Sequence, residues 1–397
     1  MHQHSEALKD ARFFDLERDK SCPIYVSAAQ IHSGNPTRRR VVSGWGETRE
    51  AARQKCLWEA KERACALWSD AITQCIAPFC DLPAHTPDPR KTVLLSALQY
   101  DARNAWNSMV DAPHHHPAPF SPQQPVAWVK GRTVYGGEPV QVAAGQVFLG
   151  YPRAIAEGFP VTDSNGLAAG ASPADAASRA LLELVERDAV SIWWYNRIRA
   201  PEAAGTTTRL TDAYTAWEKS RRRKLTFLDL TTDLGVPVVA AVACEEPRRD
   251  ISIGFGAGWS TAAAAESAVG ELAQFDITKR LRRASGTKAH PWSFLAVLAG
   301  LGRKSGYFLD PCKSRPTAPA RSTTTETLRE KLISQDIPPV LVDLSNENTA
   351  VVRVVAPGLR PIWPRFAPGR LYDVPVAMTV QTEKTLETEL NPMPILY

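Results

Sequence analysis

The stretch SNGLAAGASPADAASRALLELVERDAVSIWWYNR, residues 164–197, carries the decisive pattern. A glycine-rich turn comes first, then Ser172, then an alanine-rich helical run bearing Glu183 and Glu186. Ser172 suits an N-cap, because its hydroxyl can accept from a free backbone N–H one turn later. The two glutamates follow it at +11 and +14. Three helical residues apart, they project from one face. Ala176, Ala180 and Leu184 flank that face, so it is also part of the apolar stripe. Carboxylates on a half-buried stripe are costly unless they are paired or bound to a cation.

The same design occurs twice more. GWGETREAARQKCLWEAKER (44–63) places Glu59 and Glu62 at +11 and +14 from Thr48. GFGAGWSTAAAAESAVGELAQFD (254–276) places Glu271 and Gln274 at the same distances from Ser260. One Glu-x-x-Glu pair is a weak signal, but three copies at one fixed distance from a glycine-rich cap are not explained by ordinary helix composition. Five carboxylates and an amide converging on one place call for hard divalent cations with oxygen ligands, and magnesium borrows phosphate oxygens from a nucleotide. Glycine-rich turns at helix starts offer free N–H groups and a positive dipole end to phosphate. Arg63 and Arg187, each directly after a glutamate pair, can neutralise phosphate or brace the carboxylates. The residues therefore predict an ATP–magnesium site built from three helices. It is not a P-loop, since GxxxxGK[ST] does not occur.

The rest of the chain sets bounds. Its 397 residues make one large domain or two to three small ones. A net charge of +5 fits a soluble enzyme's surface better than a nucleic-acid-binding one. Apolar runs fall short of the roughly 20 residues that a membrane span needs. The polar start MHQHSEALKDARFFDLERDK has no secretory apolar core, which leads to the expectation of a cytoplasmic protein. Seven scattered cysteines without a CxxC argue against a disulfide framework or a structural zinc site. Cys75 and Cys80 read as two buried thiols near a helix end, and His114–His116 as part of a solvated, proline-rich loop over 112–125. Residues 23–31, 236–244, 251–258, 338–345 and 350–359 read as strands. With helices between them, they predict an α+β architecture of mixed β-sheets packed by helices, not a doubly wound parallel sheet. Residues 1–34 read as a lead-in and 35–397 as one catalytic domain.

Residues 164–197 closely resemble the central signature of the YcaO family. The first copy resembles that family's glycine-rich ExxER segment, the third its ExxQ segment, and AVVRVVAPGLRPIWPRFAPGRLYDVPV (350–376) its C-terminal region. The resemblance runs over roughly residues 23–397. It implies an ATP- and magnesium-dependent peptide cyclodehydratase. A Cys, Ser or Thr side chain of a ribosomal precursor peptide attacks the preceding carbonyl. ATP phosphorylates the resulting oxyanion, and the oxygen leaves with phosphate to give an azoline. Carried over by position, Glu59, Glu62, Glu183, Glu186 and Glu271 are the implied magnesium ligands. Asp175, Arg187, Gln274 and Arg63 are the implied nucleotide-site residues. The alternatives are a thioamide- or amidine-forming YcaO-type enzyme, or a catalytically degenerate peptide-binding scaffold.

Several positions depart from the family pattern. Gly44-Trp45-Gly46 stands where a Gly-Lys-Gly turn is common, Lys55 where a serine is usual, Ala171 for an asparagine, and Ser267 for an arginine. Two phosphate contacts are lost in this way, and Lys55 is a candidate to replace one of them. The end ELNPMPILY is a partial match to the proline-rich tail of azoline-forming members. Pro392, Pro394 and the Tyr397 carboxylate are the expected catalytic elements there. The resemblance further implies a leader-binding partner protein and a flavin-dependent dehydrogenase, with no nucleic acid and no membrane, and it is compatible with a homodimer.

Overall fold

The computed structural model describes residues 11–16, 19–32, 39–72, 74–111, 114–246, 248–284, 306–347 and 349–395. Strands β1 (Arg12–Asp15), β2 (Tyr25–His32) and β3 (Arg39–Gly46) form a sheet in that order, and helix α1 (Arg49–Cys65) lies across it. The expected boundary between residues 34 and 35 therefore falls inside one sheet. β2 pairs with β3 from Tyr25↔Gly46 to His32↔Arg39, so the lead-in supplies structural strands.

Next along the chain come β4 (Cys75–Ala77), β5 (Val126–Thr133), β6 (Pro139–Ala143), β7 (Leu167–Gly170) and helix α2 (Pro173–Tyr195). Helix α3 (Arg209–Ser220) leads into β8 (Arg223–Asp229), β9 (Val238–Glu245) and β10 (Arg249–Ala257). These three form a second sheet, ordered β10-β9-β8, which α4 (Thr261–Ala284) covers. After α5 (Thr325–Ser334), strands β11 (Val340–Asp343) and β12 (Ala350–Val355) complete a six-stranded sheet ordered β4-β5-β11-β12-β7, with β6 beside β5. Helix α6 (Arg370–Ala377) follows. The α+β architecture is as expected. Among the described strands, however, every ladder is antiparallel, so the sheets are not mixed.

Helix α2 is the spine. Its C-terminal stretch Asp188–Tyr195 is entirely buried, and Trp193 and Trp194 meet Phe308 edge-on at 5.5 and 5.2 Å. The helix stops at Asn196, and Arg197 turns left-handed at φ 47°. Asp188 is fully buried, a position that a carboxylate tolerates only when paired. Arg370 provides the pairing through a two-pronged bridge, Nε to Oδ1 at 3.0 Å and Nη2 to Oδ2 at 2.7 Å, and the Arg360 backbone N–H adds a bond at 2.9 Å. This joins α6 and the segment before it to the spine.

The chain's last described residues also dock on α2. Trp194 Nε1 donates to the Met393 carbonyl at 2.6 Å, Asn391 N donates to the Tyr195 carbonyl at 2.7 Å, and Ile395 is buried. Pro394 is buried as well, while Pro392 is exposed. Tyr397 lies outside the described residues.

Two expectations are corrected. Cys75 and Cys80 are exposed, Cys75 on the edge strand β4 and Cys80 in a short 3-10 turn. The histidine segment does not extend into solvent. His116 is buried and stacks on Trp106 at 5.1 Å, because the backbone of His116 exchanges two hydrogen bonds with the Asn107 side chain. Among the described residues, no helix is long and apolar enough to cross a membrane.

Candidate active site

Each of the three repeated segments is a strand, a cap and a helix. Thr48, Ser172 and Ser260 all accept from the backbone N–H three residues on, at 3.1, 3.2 and 3.2 Å. The glycines expected to form phosphate-binding turns lie largely in the preceding strands instead. A Cβ on Gly44 would fall 2.2 Å from the backbone N of Cys56, one on Gly170 would fall 2.5 Å from that of Ala176, and one on Gly254 would fall 2.2 Å from that of Leu272. The strands run so close beneath their helices that only glycine fits. The helices answer with small residues on the same face, Ala52, Ala60, Ala176, Ala180, Ala264 and Ala268, all fully buried.

The repeat extends to a contact that the spacing alone does not show. In each copy the first glutamate turns back onto the strand that leads into its own helix or, in the second copy, onto the residue just before that strand. Ser43 N donates to Glu59 Oε2 at 3.2 Å, and Gly166 N to Glu183 Oε2 at 3.0 Å. Phe255 N donates to Glu271 Oε2. The +11 spacing thus lets a side chain three turns into the helix satisfy a backbone donor of the strand beneath it.

The copies also meet one another. Ala257 N, at the end of β10, donates to Glu186 Oε2 on α2 at 3.0 Å. Gln274 on α4 donates to Ser43 Oγ on β3 at 3.1 Å. Glu62 on α1 lies close enough to Glu183 for their charges to repel. These contacts bring all six expected positions of the three helices, Glu59, Glu62, Glu183, Glu186, Glu271 and Gln274, into one acidic site.

Arg63 braces the first pair, at 3.1 Å from Glu59 and 3.5 Å from Glu62, and Arg187 stands 3.6 and 3.7 Å from Glu183 and Glu186. Burial and neighbouring carboxylates outweigh these cations. Burial, with Glu59 and Glu183 nearby, pushes the Glu62 carboxyl up to about 8. Burial, then Glu186, does the same to Glu271, also to about 8. Burial raises Glu183 and Glu186 too. Among the described residues, no three carboxylate, histidine or cysteine side chains already form a closed group around one point. Their oxygens are engaged by backbone N–H groups and arginines. The donor set nonetheless fits a divalent cation, being oxygen-only, acidic and short of compensating charge.

Asp175 stands apart from the acidic cluster, half-buried at the start of α2. It accepts from Ala171 N at 3.0 Å and pairs with Arg179 at 3.2 Å. The backbone bond, then Arg179, holds its carboxyl below the usual range.

Next to the acidic site, and sharing Arg187 with it, lies a cavity of about 170 Å³. Leu184 and Arg187 of α2 form one wall, and Trp106, Phe159, Trp363 and Pro394 form others. Of the expected tail residues, Pro394 reaches this cavity. Sequence reasoning did not single out Arg353, Arg360, Arg365 or Asp163, which also line it. A signal existed, since residues 350–376 carry four arginines in an apolar, proline-rich context. Arginines so placed are buried and need partners.

The sequence profile of the YcaO family, described as a cyclodehydratase that binds ATP and Mg2+, matches residues 43–360. The chain belongs to the YcaO family. An uncharacterised protein of Methanothermobacter thermautotrophicus is 30% identical over 261 residues, which is 58% of this chain and 65% of that protein. A heterocyclase solved in complex with substrate and cofactor superimposes with a TM-score of 0.89 at 24% identity, over 97% of this chain and 55% of the other. The YcaO protein of Methanopyrus kandleri, solved with AMPPCP and Mg2+, gives a TM-score of 0.60 at 26% identity, covering 88% of this chain and 85% of that one. The chain thus spans just under two thirds of the first relative's length and about half of the heterocyclase's. The likeness to the heterocyclase establishes a shared YcaO-type fold.

Proposed function

We propose that this YcaO protein is an ATP- and magnesium-dependent peptide cyclodehydratase that converts Cys, Ser or Thr residues of a ribosomal precursor peptide to azolines. The observation that carries this reading is the meeting of three capped helices, whose buried carboxylates outnumber the arginines set against them. A magnesium-bound nucleotide supplies the missing positive charge and a phosphoryl group that turns an amide oxygen into a leaving group. Glu59, Glu62, Glu183, Glu186 and Glu271 would hold the metal. Arg63 and Arg187 would orient these carboxylates, and Gln274 and Asp175 would face the nucleotide. Pro394 places the end of the chain beside the cavity behind α2, which supports a role for the tail in catalysis. Delivery of the peptide by a leader-binding partner, and later oxidation by a flavin-dependent dehydrogenase, belong to the same reading. The M. kandleri relative, solved with a nucleotide analogue and Mg2+, and the heterocyclase, solved with substrate, support it.

The test is intact-peptide mass after incubation with ATP, Mg2+, a precursor peptide encoded beside this gene, and the partner encoded with it. Loss of one water per modified residue, abolished by Glu183→Gln, is expected. Exchange of oxygen for sulfur when sulfide is present would move the assignment to thioamide formation. An unchanged peptide together with no Mg2+-dependent ATP binding would overturn it.

A further inference from the structure

The cavity behind α2 has an unusual charge balance. Arg187, Arg353, Arg360 and Arg365 line it, against the single carboxylate of Asp163. Three of these arginines are already engaged. Arg353 donates to the carbonyls of Val147, Asn165 and Asp163 at 3.1, 2.5 and 2.7 Å. Arg360 donates to the carbonyls of Ala367, at 3.1 Å, and Arg365. Arg187 braces Glu183 and Glu186.

Arg365 is different. It is only 8% exposed, and among the described residues no hydrogen bond or ion pair engages its guanidinium. Asp163 attracts Arg365 through space but makes no direct hydrogen bond or ion pair with it. Its carboxylate accepts from Asn165 N at 2.8 Å, from Asn165 Nδ2 at 2.9 Å and from Trp363 Nε1. The remaining charged and titratable groups around Arg365 offer no countercharge. Tyr100 and Tyr195 are neutral phenols. His116 is held uncharged, its proton affinity lowered to about 4 by burial and then by Arg365 itself. One carboxylate shared among four arginines leaves the buried Arg365 guanidinium undercompensated, and that cost is recovered when a ligand brings a second carboxylate. The walls around it are apolar and aromatic, formed by Trp106, Phe159, Val161, Leu184 and Trp363.

We propose that this cavity is a substrate subsite in which Arg365 binds a carboxylate of the peptide while the aromatic walls take an adjoining apolar side chain. The carboxylate is either the peptide's own C-terminus or an acidic side chain. The inference rests on the cyclodehydratase reading for its substrate, and Leu184 and Arg187 connect the two places. They line the cavity on the turn of α2 that presents Glu183 and Glu186. A peptide anchored on Arg365 therefore lies next to the acidic site, with Arg187 between the two.

Isothermal titration of the full chain tests the proposal with three defined probes: acetyl-Cys-Phe with a free carboxylate, the same dipeptide amidated, and acetyl-Cys-Phe-Asp amide. The free acid should bind at least tenfold more tightly than the dipeptide amide. Arg365→Met should abolish that preference, and Arg365→Lys should retain part of it. Binding of the aspartyl amide at the level of the acid assigns the contact to a side chain, and binding at the level of the dipeptide amide assigns it to the terminus. Equal affinities of all three probes for the unaltered protein, or a preference that survives Arg365→Met, overturn the subsite. Mg·ATP binding is measured on every protein. Its retention in the variants shows that the fold is intact, and if Arg365→Met does not fold, the unaltered protein and Arg365→Lys decide the matter. Mg·ATP binding without carboxylate preference defeats this inference alone. Absence of Mg·ATP binding defeats the cyclodehydratase reading, and the probes still report on the subsite.

Discussion

The ammonium of Lys55 sits 3.3 Å from the centre of the Trp45 ring. These are two of the positions at which the chain departs from the family pattern, and they touch one another. Lys55 thus places a cation from α1 against the Gly44-Trp45-Gly46 segment, one helical turn before Glu59. Burial, then the neighbouring Arg179, lowers the Lys55 ammonium to about 8, although Glu266 opposes the change and the side chain still reaches solvent.

Lys55 should therefore act as a pH-dependent phosphate contact. It carries its proton below about 8 and loses it above. Mg·ATP affinity should accordingly fall as pH rises from 7 to 9, and Lys55→Arg should remove that fall. Lys55→Met should weaken binding about ten- to a hundredfold at pH 7, the effect of losing one charge-assisted hydrogen bond of roughly 1.5–3 kcal/mol. Titration calorimetry across the pH range checks both statements. An affinity insensitive to Lys55→Met would remove Lys55 from the nucleotide site.

Trp45 also depends on a glycine. A Cβ on Gly270 of α4 would lie 1.9 Å from Trp45 Cε2, so the ring fills the space that a side chain would take. Alanine normally stabilises a helix relative to glycine by roughly 1 kcal/mol. Here Gly270→Ala should destabilise instead, by about 1–3 kcal/mol through overpacking. The sign should reverse when Trp45 is first replaced by alanine. Thermal melts of the two single variants and the double variant give the coupling directly.

The carboxylates predict a second pH effect, opposite in sign to that of Lys55. Glu62 and Glu271, both raised to about 8, hold protons at pH 6.5 that an incoming cation must displace. Mg2+ should release protons on binding, and its protection against thermal unfolding should be larger at pH 8.5 than at pH 6.5. Calorimetry in buffers of different ionisation enthalpy counts the protons. In Mg2+-free protein these two groups destabilise the fold as pH rises from the ordinary carboxyl range towards 8, because only the unfolded chain then ionises them freely. EDTA-treated protein should therefore lose more melting temperature over that interval than protein kept in Mg2+.

The sequence makes the three helices legible because cap and carboxylate spacing are local. Thr48, Ser172 and Ser260 announce helix starts, and a fixed offset places the acids on one face whatever the tertiary context. The glycines were harder to read. Gly44, Gly170 and Gly254 look like turn residues, yet they lie in strands that run beneath helix backbones, a long-range contact with no local signature. The Arg365 cavity was hidden for a similar reason. Its walls come from residues 92–110, 114–116, 145–165, 184–187 and 353–394, segments far apart in the chain that no local pattern connects. The histidine segment likewise had the composition of a solvated loop, and it was Asn107 and Trp106, outside it, that drew His116 inside.

The tail provides a last prediction. Truncation after Asn391 removes the Met393 carbonyl that accepts from Trp194 Nε1, the buried Ile395, and the wall that Pro394 gives to the cavity. The acidic site meets the cavity at Arg187 and keeps its own contacts, from Ser43, Gly166, Phe255 and Ala257. Turnover should fall at least tenfold while Mg·ATP affinity changes less than threefold, since a substrate contact that acts in the transition state costs rate without costing cofactor binding. The truncation also uncovers the indole N–H of Trp194 and an apolar site for Ile395, a loss of about 2–5 kcal/mol by analogy with removal of a buried aliphatic side chain. Ile395→Ala separates the two effects, because it takes the packing and leaves Pro394 in place. If both variants lose the same fraction of turnover at a temperature where each is folded, the tail serves stability alone. If truncation costs much more, the wall beside Arg365 contributes to the reaction.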